Sequence, residues 1–213
     1  MMIGLPEQTI EDVEDTVNKI IKLNPNHVSV YSLILEEGTK LYDMPLNLPD
    51  EQTERAMYWS AKKKLEEAGY VHYEISNFAK AGYESKHNLD CWNQKEYIGF
   101  GLAAHSYLNN ARYSNAADLD KYIAETGVIP AQVIHEIQTR EVKQKEYMLL
   151  GLRKIDGVKI SEFKNKFADN PLYIYRKELN KLVEEGLIEI DLDTVKLTDK
   201  GIDLANQVWM EFI

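Results

Sequence analysis

The densest run of residues able to do chemistry lies between His72 and Asn115. It opens with His72-Tyr73-Glu74-Ile75-Ser76-Asn77-Phe78 and continues with His87-Asn88-Leu89-Asp90-Cys91-Trp92. Tyr97-Ile98-Gly99-Phe100-Gly101 and Ala103-Ala104-His105-Ser106 follow, with Arg112 and Asn115 last. Loops rich in His, Asn, Trp and Gly at strand ends usually form a site rather than a packing layer. His87 is the sharpest candidate. An imidazole can ligate heme iron, and an adjacent amide such as Asn88 can orient the ring. Trp92 offers a face on which a porphyrin could stack. The competing reading is a histidine that bonds backbone within a long loop.

The other candidates carry alternatives of the same kind. Cys91 is either an axial or redox thiolate or a small buried apolar residue. His105, after two alanines in a strand, is either a ligand or a satisfied structural histidine. Glu74 is either a general base or the partner of Arg112. Gly99-Phe100-Gly101 lacks the Lys and Ser/Thr that complete a phosphate loop, so close backbone approach is the simpler use. Gly4-Leu5-Pro6-Glu7-Gln8-Thr9 either aims a helix N-terminus at an anion or makes a tight strand-to-helix turn.

The elements that must position these residues can be read from periodicity. Thr9 caps a helix, with Asp12 as its capping-box partner, and Ile10, Val13, Val17, Ile20 and Ile21 share one face. Val28 to Leu35 is apolar almost throughout, as in a strand covered on both faces. Strand, helix, strand predicts a βαβ unit with a right-handed crossover. Pro49 and Asp50 open a second helix with the stripe Met57, Ala61, Leu65 and Ala68, stopped by Gly69. Tyr70 to Ile75 reads as a strand, and Ser76 to Gly101 has no clean period. Ala103–Leu108 and Ala111–Asn115 form a hairpin turning at Asn109-Asn110. A short helix over Asp118–Glu125 is followed by a connection marked by Gly127 and Pro130. From Glu141 three helices precede two short strands near Ile188–Ile190 and Val195–Leu197, and Thr198 caps a last helix. The third helix carries Leu172, Tyr175, Leu179, Leu182 and Val183. That order is a winged-helix pattern. The chain thus divides into residues 1–135 and 136–213.

Composition narrows the classes. The chain has 213 residues and a net charge of −10, which disfavours non-specific nucleic-acid binding. One cysteine excludes an internal disulfide and any site built from several thiolates. No apolar run reaches the length of a membrane span, and the expected compartment is the cytoplasm. The opening, Met1 to Pro6, reads as the end of a buried strand, so an upstream region is expected to be missing.

Together these motifs resemble the radical S-adenosylmethionine (SAM) family of heme chaperones and oxygen-independent coproporphyrinogen III oxidases. Ile3–Thr9 resembles its "GLPGQT" turn. Val28–Leu33 with Glu36-Glu37-Gly38-Thr39 is similar to its next strand and "EEGT" loop. Gly69–Ala79 resembles "GY-hYEISNFA", and Tyr97–Ser106 resembles "YxGxGxGAHS". His87–Trp92 resembles the "HNxxYW" motif typical of the chaperone branch. Here Cys91 replaces the tyrosine, and Leu102-Ala103 stand where Ala-Gly is frequent.

The resemblance implies an α/β fold: the C-terminal part of a partial (β/α) radical-SAM barrel, a small β-hairpin region and a C-terminal winged-helix domain. It implies heme or porphyrin as ligand and a heme-accepting protein as partner. His87, Asn88 and Trp92 become heme-binding candidates, and Gly4, Pro6, Tyr31 and Ser32 SAM-proximal ones. Glu74, Asn77, His105 and Arg112 would line the site. The family's S-adenosylmethionine and [4Fe-4S] cluster need a "CxxxCxxC" loop that these residues lack, so this chain alone is expected to be inactive as a radical enzyme. The edge of the Val28–Leu35 strand is expected to be exposed and to drive self-association. The alternative functions are the oxidative decarboxylation itself, which the His87-Asn88…Trp92 set disfavours, and a winged-helix module for protein contact.

Overall fold

Thr9 opens the first helix as the pattern predicts. Its hydroxyl accepts from the Asp12 N–H at 3.2 Å, and the Asp12 carboxylate accepts from the Thr9 N–H at 2.9 Å. This reciprocal cap satisfies two amides that the helix leaves unpaired. The computed structural model describes residues 1–125 and 133–213. The connection marked by Gly127 and Pro130 lies outside the described residues. Two compact units result, Met1–Ser85 and Lys86–Ile213.

In the first unit β1 (Met2–Ile3) leads into α1 (Ile10–Leu23), then β2 (His27–Ser29) and β3 (Tyr31–Ser32). α2 (Glu51–Glu67), β4 (Val71–Glu74) and β5 (Asn77–Ala79) complete it. The βαβ unit is present: β1 pairs with β3 in parallel, Met2 opposite Tyr31 and Ile3 opposite Ser32. The single strand expected over Val28–Leu35 is not. It is split at Val30 into β2 and β3, and the Val30 N–H donates to the Ser76 carbonyl at 2.8 Å, one step beyond the β2–β5 register. β2 joins an antiparallel sheet of order β2-β5-β4 instead. Val28 and Val30 are buried, but Ile34 is 73% exposed, so the expected two-sided cover stops short. β5 was hidden in the stretch without a period. The chain reverses at Ile75-Ser76, and Asn77, Phe78 and Ala79 are all buried.

α1 and α2 pack through the stripes that periodicity marks. Val13, Val17, Met57, Ala61 and Leu65 are fully buried and share a core with Ile3, Val28, Val30, Tyr70 and Phe78. Each large side chain in such a core contributes about 1.5–3 kcal/mol by leaving water.

The second unit opens with α3 (Lys86–Trp92), then β6 (His105–Leu108), β7 (Ala111–Ser114), α4 (Leu119–Glu125) and β8 (Val133–Ile137). The hairpin turns at Asn109-Asn110, both with positive φ (50° and 64°). That geometry is the mirror-image turn whose twist suits a two-residue hairpin. β8 adds a third antiparallel strand to β7. α3 corrects the reading of a long loop around His87. This helix of 7 residues buries none of them completely, so it leaves no apolar stripe to read.

The rest is α5 (Arg140–Gly151), β9 (Val158–Lys159), α6 (Ile160–Phe167), α7 (Pro171–Ile174), α8 (Arg176–Glu184), β10 (Ile188–Ile190), β11 (Thr194–Leu197), α9 (Asp199–Asp203) and α10 (Ala205–Met210). The expected third helix is two, broken at Tyr175 (φ −111°, ψ 27°), with Val183 44% exposed. The last helix is likewise broken, at Leu204 (φ −114°). Met148, Leu152, Phe163, Leu179, Leu182, Val208 and Phe212 fill the core. β9, β11 and β10 form a small antiparallel sheet beside it. Among the described residues no helix is long and apolar enough to cross a membrane.

Candidate functional site

His87 sits in the first turn of α3 with its ring exposed. Cys91 follows one helical turn later on the same face, its Sγ 3.8 Å from His87 Nε2, the spacing that an i, i+4 pair produces. Burial, and then the neighbouring Asp90 carboxylate, push the Cys91 thiol above its usual range. It is therefore a neutral thiol near pH 7 rather than a ready nucleophile. Tyr97 meets the His87 ring edge-on at 6.5 Å between centroids. Asn88 is half-buried beside it.

Beyond Tyr97 the chain does something the sequence reading missed. Tyr97 is tied to β6 by two backbone hydrogen bonds with Tyr107, at 2.8 and 3.0 Å. The next residues form a loop whose apolar side chains face water: Ile98 is 55%, Phe100 90% and Leu102 44% exposed. Polar groups beneath hold it there. The Gly99 N–H donates to Ser106 Oγ at 3.0 Å. Asn115 Nδ2 donates to the carbonyls of Gly99 at 3.3 Å and Gly101 at 2.8 Å. A Cβ at Gly99 would lie 2.2 Å from the His105 carbonyl oxygen, so only glycine lets these strands approach. The Gly-Phe-Gly run therefore serves close backbone approach. Alternation of apolar residues with glycine was the available signal.

Trp92 ends α3 against the helices that follow. Its ring lies 4.5 Å from the Arg153 guanidinium carbon, and Trp209 covers Arg153 from the other side at 4.4 Å. One face of the indole is thus taken by a cation.

The remaining candidates fall into separate local groups. Arg112 is held by Glu146 of α5, Nη2 to the carboxylate at 2.9 and 3.0 Å, and lies over the Tyr107 ring. His105 is exposed at the start of β6, opposite Ser114. In the first unit Glu74 is fully buried and accepts from the Ser76 N–H at 3.1 Å and from Asn77 Nδ2. Asn77 Oδ1 in turn accepts from Ser29 Oγ at 2.5 Å. Gly4 is buried at the end of β1 beside the Glu54 side chain, and Pro6 is half-buried. Tyr31 is 48% exposed and Ser32 half-buried on β3, which the β1 pairing aligns with the Gly4–Pro6 turn. A shallow cleft of about 330 Å³ borders that turn, lined by Gln8, Thr9, Asn47, Leu48 and Thr53 with Glu7 and Glu11. The Thr9–Asp12 cap and these two glutamates leave the helix N-terminus a poor seat for an anion.

His72 belongs to a further polar cluster. It is 7% exposed, stacks on Phe78 at 4.5 Å, and its Nε2 lies 3.2 Å from Tyr58 Oη and 3.3 Å from the Ile75 carbonyl. Burial, the dominant cause, pushes its pKa below the ordinary value for the ring.

Among the described residues no group of three His, Cys, Asp or Glu side chains could hold a metal ion. With Cys91 as its one cysteine, the chain does not supply the thiolates of an iron–sulfur cluster.

Residues 138–204 match the family model described as the HemN C-terminal domain. Over its whole length the chain is 40% identical to the heme chaperone HemW of Bacillus subtilis and 36% identical to that of Lactococcus lactis. It spans 58% and 57% of those proteins. The solved structure of Escherichia coli coproporphyrinogen III oxidase (HemN), a radical SAM enzyme, superposes on 99% of the chain with a TM-score of 0.81. At 19% identity and 53% of that chain, this likeness concerns the fold, to whose C-terminal part these residues correspond.

Proposed function

Since the chain is a HemW/HemN-like member of the radical SAM protein family, we propose that it is the heme-binding portion of a heme chaperone. Heme is its cargo, and a heme-accepting protein its partner. One juxtaposition carries the reading. An exposed imidazole, His87, meets Tyr97, which leads directly into a loop that holds Ile98, Phe100 and Leu102 out in water. A free heme needs an axial nitrogen for iron and an apolar surface for the macrocycle. His87 is the iron ligand in this reading. Asn88 and Trp92, on the same helix, are the further heme-binding residues, with the indole as the group that would stack on the porphyrin.

The chain spans somewhat more than half of its chaperone relatives, so the activity of a whole protein is also part of the proposal. S-adenosylmethionine would lie along Gly4, Pro6, Tyr31 and Ser32, with the adenine near the last two. The [4Fe-4S] cluster does not fit the residues present, and no radical step is assigned to them. Glu74 and Asn77 in the first unit, and His105 and Arg112 in the second, would each act as supporting residues within their own unit. In this reading residues 1–135 are the barrel end with the region that follows, and 136–213 a winged-helix domain made by α5, α6 and α8 with the β10–β11 ribbon. On α8, Arg176, Lys177 and Lys181 are offset by Glu178 and Glu184, a balance that suits protein contact better than nucleic acid. Self-association would use the two-stranded β1–β3 sheet, beside which Tyr31 and Ile34 are exposed. The working compartment is the cytoplasm.

Heme titration followed by absorbance tests the reading. Wild type should develop a Soret band that saturates at one heme per chain. H87A should bind at least about tenfold more weakly, a loss of roughly 1.4 kcal/mol. Equal binding by the two proteins refutes the assignment of His87.

A further inference from the structure

An open cleft of about 600 Å³ begins where α3 ends. Asn93 and Lys95 form one wall, and Tyr147, Lys154, Glu162 and Lys166 the others. On a chain of net charge −10 this gathering of lysines runs against the overall sign. Lys95 is neutralised by Asp90 at 2.6 Å. Lys154 and Lys166 are not: among the described residues neither has a carboxylate within ion-pair distance. Their hydrogen bonds go to neutral acceptors, and Lys166 also lies over the Tyr147 and Phe167 rings at 4.8 and 5.6 Å. Lys154 Nζ donates to Asn93 Oδ1 at 2.7 Å, and Lys166 Nζ to Gln94 Oε1 at 3.2 Å and the Asn93 carbonyl at 3.5 Å.

The two ammonium groups gather on Asn93 and Gln94 with no carboxylate in direct contact, while Glu162 and Asp156 favour the charge on Lys154 from a distance. Burial pushes both below the usual lysine range, and for Lys166 the nearby Lys143 and Lys154 add to it. The cleft's own carboxylate, Glu162, is engaged by the Tyr147 hydroxyl at 3.4 Å. An entering anion would gain two charge-assisted hydrogen bonds and relieve the repulsion between the lysines.

We propose that Lys154 and Lys166, gathered on Asn93 and Gln94, form a carboxylate clamp for the propionate edge of a porphyrin. The proposal rests on the heme-binding reading and supplies its second contact point. Asn93 directly follows Trp92, and six residues of helical rise place it about 9 Å along α3 from His87. Arg153, stacked on Trp92, immediately precedes Lys154 and ties the cleft to that helix. The ligand class is an amphiphilic macrocycle: carboxylates at one edge, an apolar body, and a central metal for an imidazole.

Metal-free protoporphyrin IX separates the clamp from iron ligation. It and its dimethyl ester are titrated into the full chain, with fluorescence as the readout, for wild type, H87A, K154Q/K166Q and K154R/K166R. Heme is titrated in parallel. The free acid should bind at least tenfold tighter than the ester. K154Q/K166Q should erase that difference, K154R/K166R should keep it, and H87A should leave it unchanged. Circular dichroism reports whether the variants are folded, and the arginine variant serves if the glutamine one is not. Equal affinity for acid and ester, or a preference that survives K154Q/K166Q, overturns the clamp. If heme binding still depends on His87 in that case, the clamp alone has failed. If acid binding depends on the lysines but heme binding ignores His87, the clamp stands and the iron ligand is wrong. If pyrophosphate binds with lysine dependence while neither porphyrin does, the cleft is a phosphate site and the carboxylate assignment is refuted.

Discussion

The Trp92–Arg153–Trp209 stack fastens the helix that carries His87 to the end of the chain, and its energy can be worked out. The guanidinium carbon lies 4.5 and 4.4 Å from the two ring centroids, well inside the range of a cation–π contact. Arg153 and both indoles are half-buried, so each face contributes about 1 kcal/mol, between the exposed and desolvated limits. R153M keeps the apolar stem and loses both faces, a cost of about 2 kcal/mol. W92L loses one face together with some apolar burial. In the double variant that face is removed once, not twice, so the cycle should return a coupling of about 1 kcal/mol. Urea unfolding followed by far-ultraviolet circular dichroism measures it without relying on the tryptophans being replaced. Because the contact is partly desolvated, the coupling should change little between low and high salt, unlike that of a surface ion pair. Additivity within about 0.3–0.5 kcal/mol would refute the stack as an energetic link.

Two further outcomes follow from buried groups. His72 has a folded-state pKa lowered by burial, so the unfolded chain binds its proton first as pH falls. Its contribution should be fully present above about pH 6.5 and lost progressively below it. The Tm of the wild type, scanned from pH 8 to pH 5, should decline more steeply than that of H72Q, and parallel declines would exclude His72 as the cause. At Gly201 a Cβ would meet the Leu187 carbonyl oxygen at 1.8 Å, and the atom that must yield is backbone. G201A should destabilise the second unit by about 1–3 kcal/mol in chemical denaturation, and a neutral result would contradict this packing.

What could be read from the sequence was local. The Thr9–Asp12 cap, the Met57-Ala61-Leu65 stripe and the Asn109-Asn110 turn depend on residues a few positions apart, and each formed as its chemistry requires. α3 escaped because 7 residues without complete burial leave no periodic trace. The split at Val30 was invisible because the apolar run continues through it, while its partners change from β5, some 48 residues on, to β1, some 29 residues back. The same holds for the site. His87 and its neighbours stood out by type. The partner of Arg112, the cover on Trp92 and the lysines around Asn93 come from distant segments that no spacing connects. The exposed Phe100 had a visible signal in its flanking glycines, but direction toward water is decided by Asn115 and Ser106 from below.

The account's central claim is that the imidazole on α3 holds the iron of bound heme. The most direct measurement is electron–nuclear double resonance of the ferric heme complex, made with protein carrying ¹⁵N-labelled histidine. The wild type should show hyperfine coupling to a histidine nitrogen, and H87A should lose it. Coupling that persists unchanged in H87A, or its absence from the wild type, would contradict the claim.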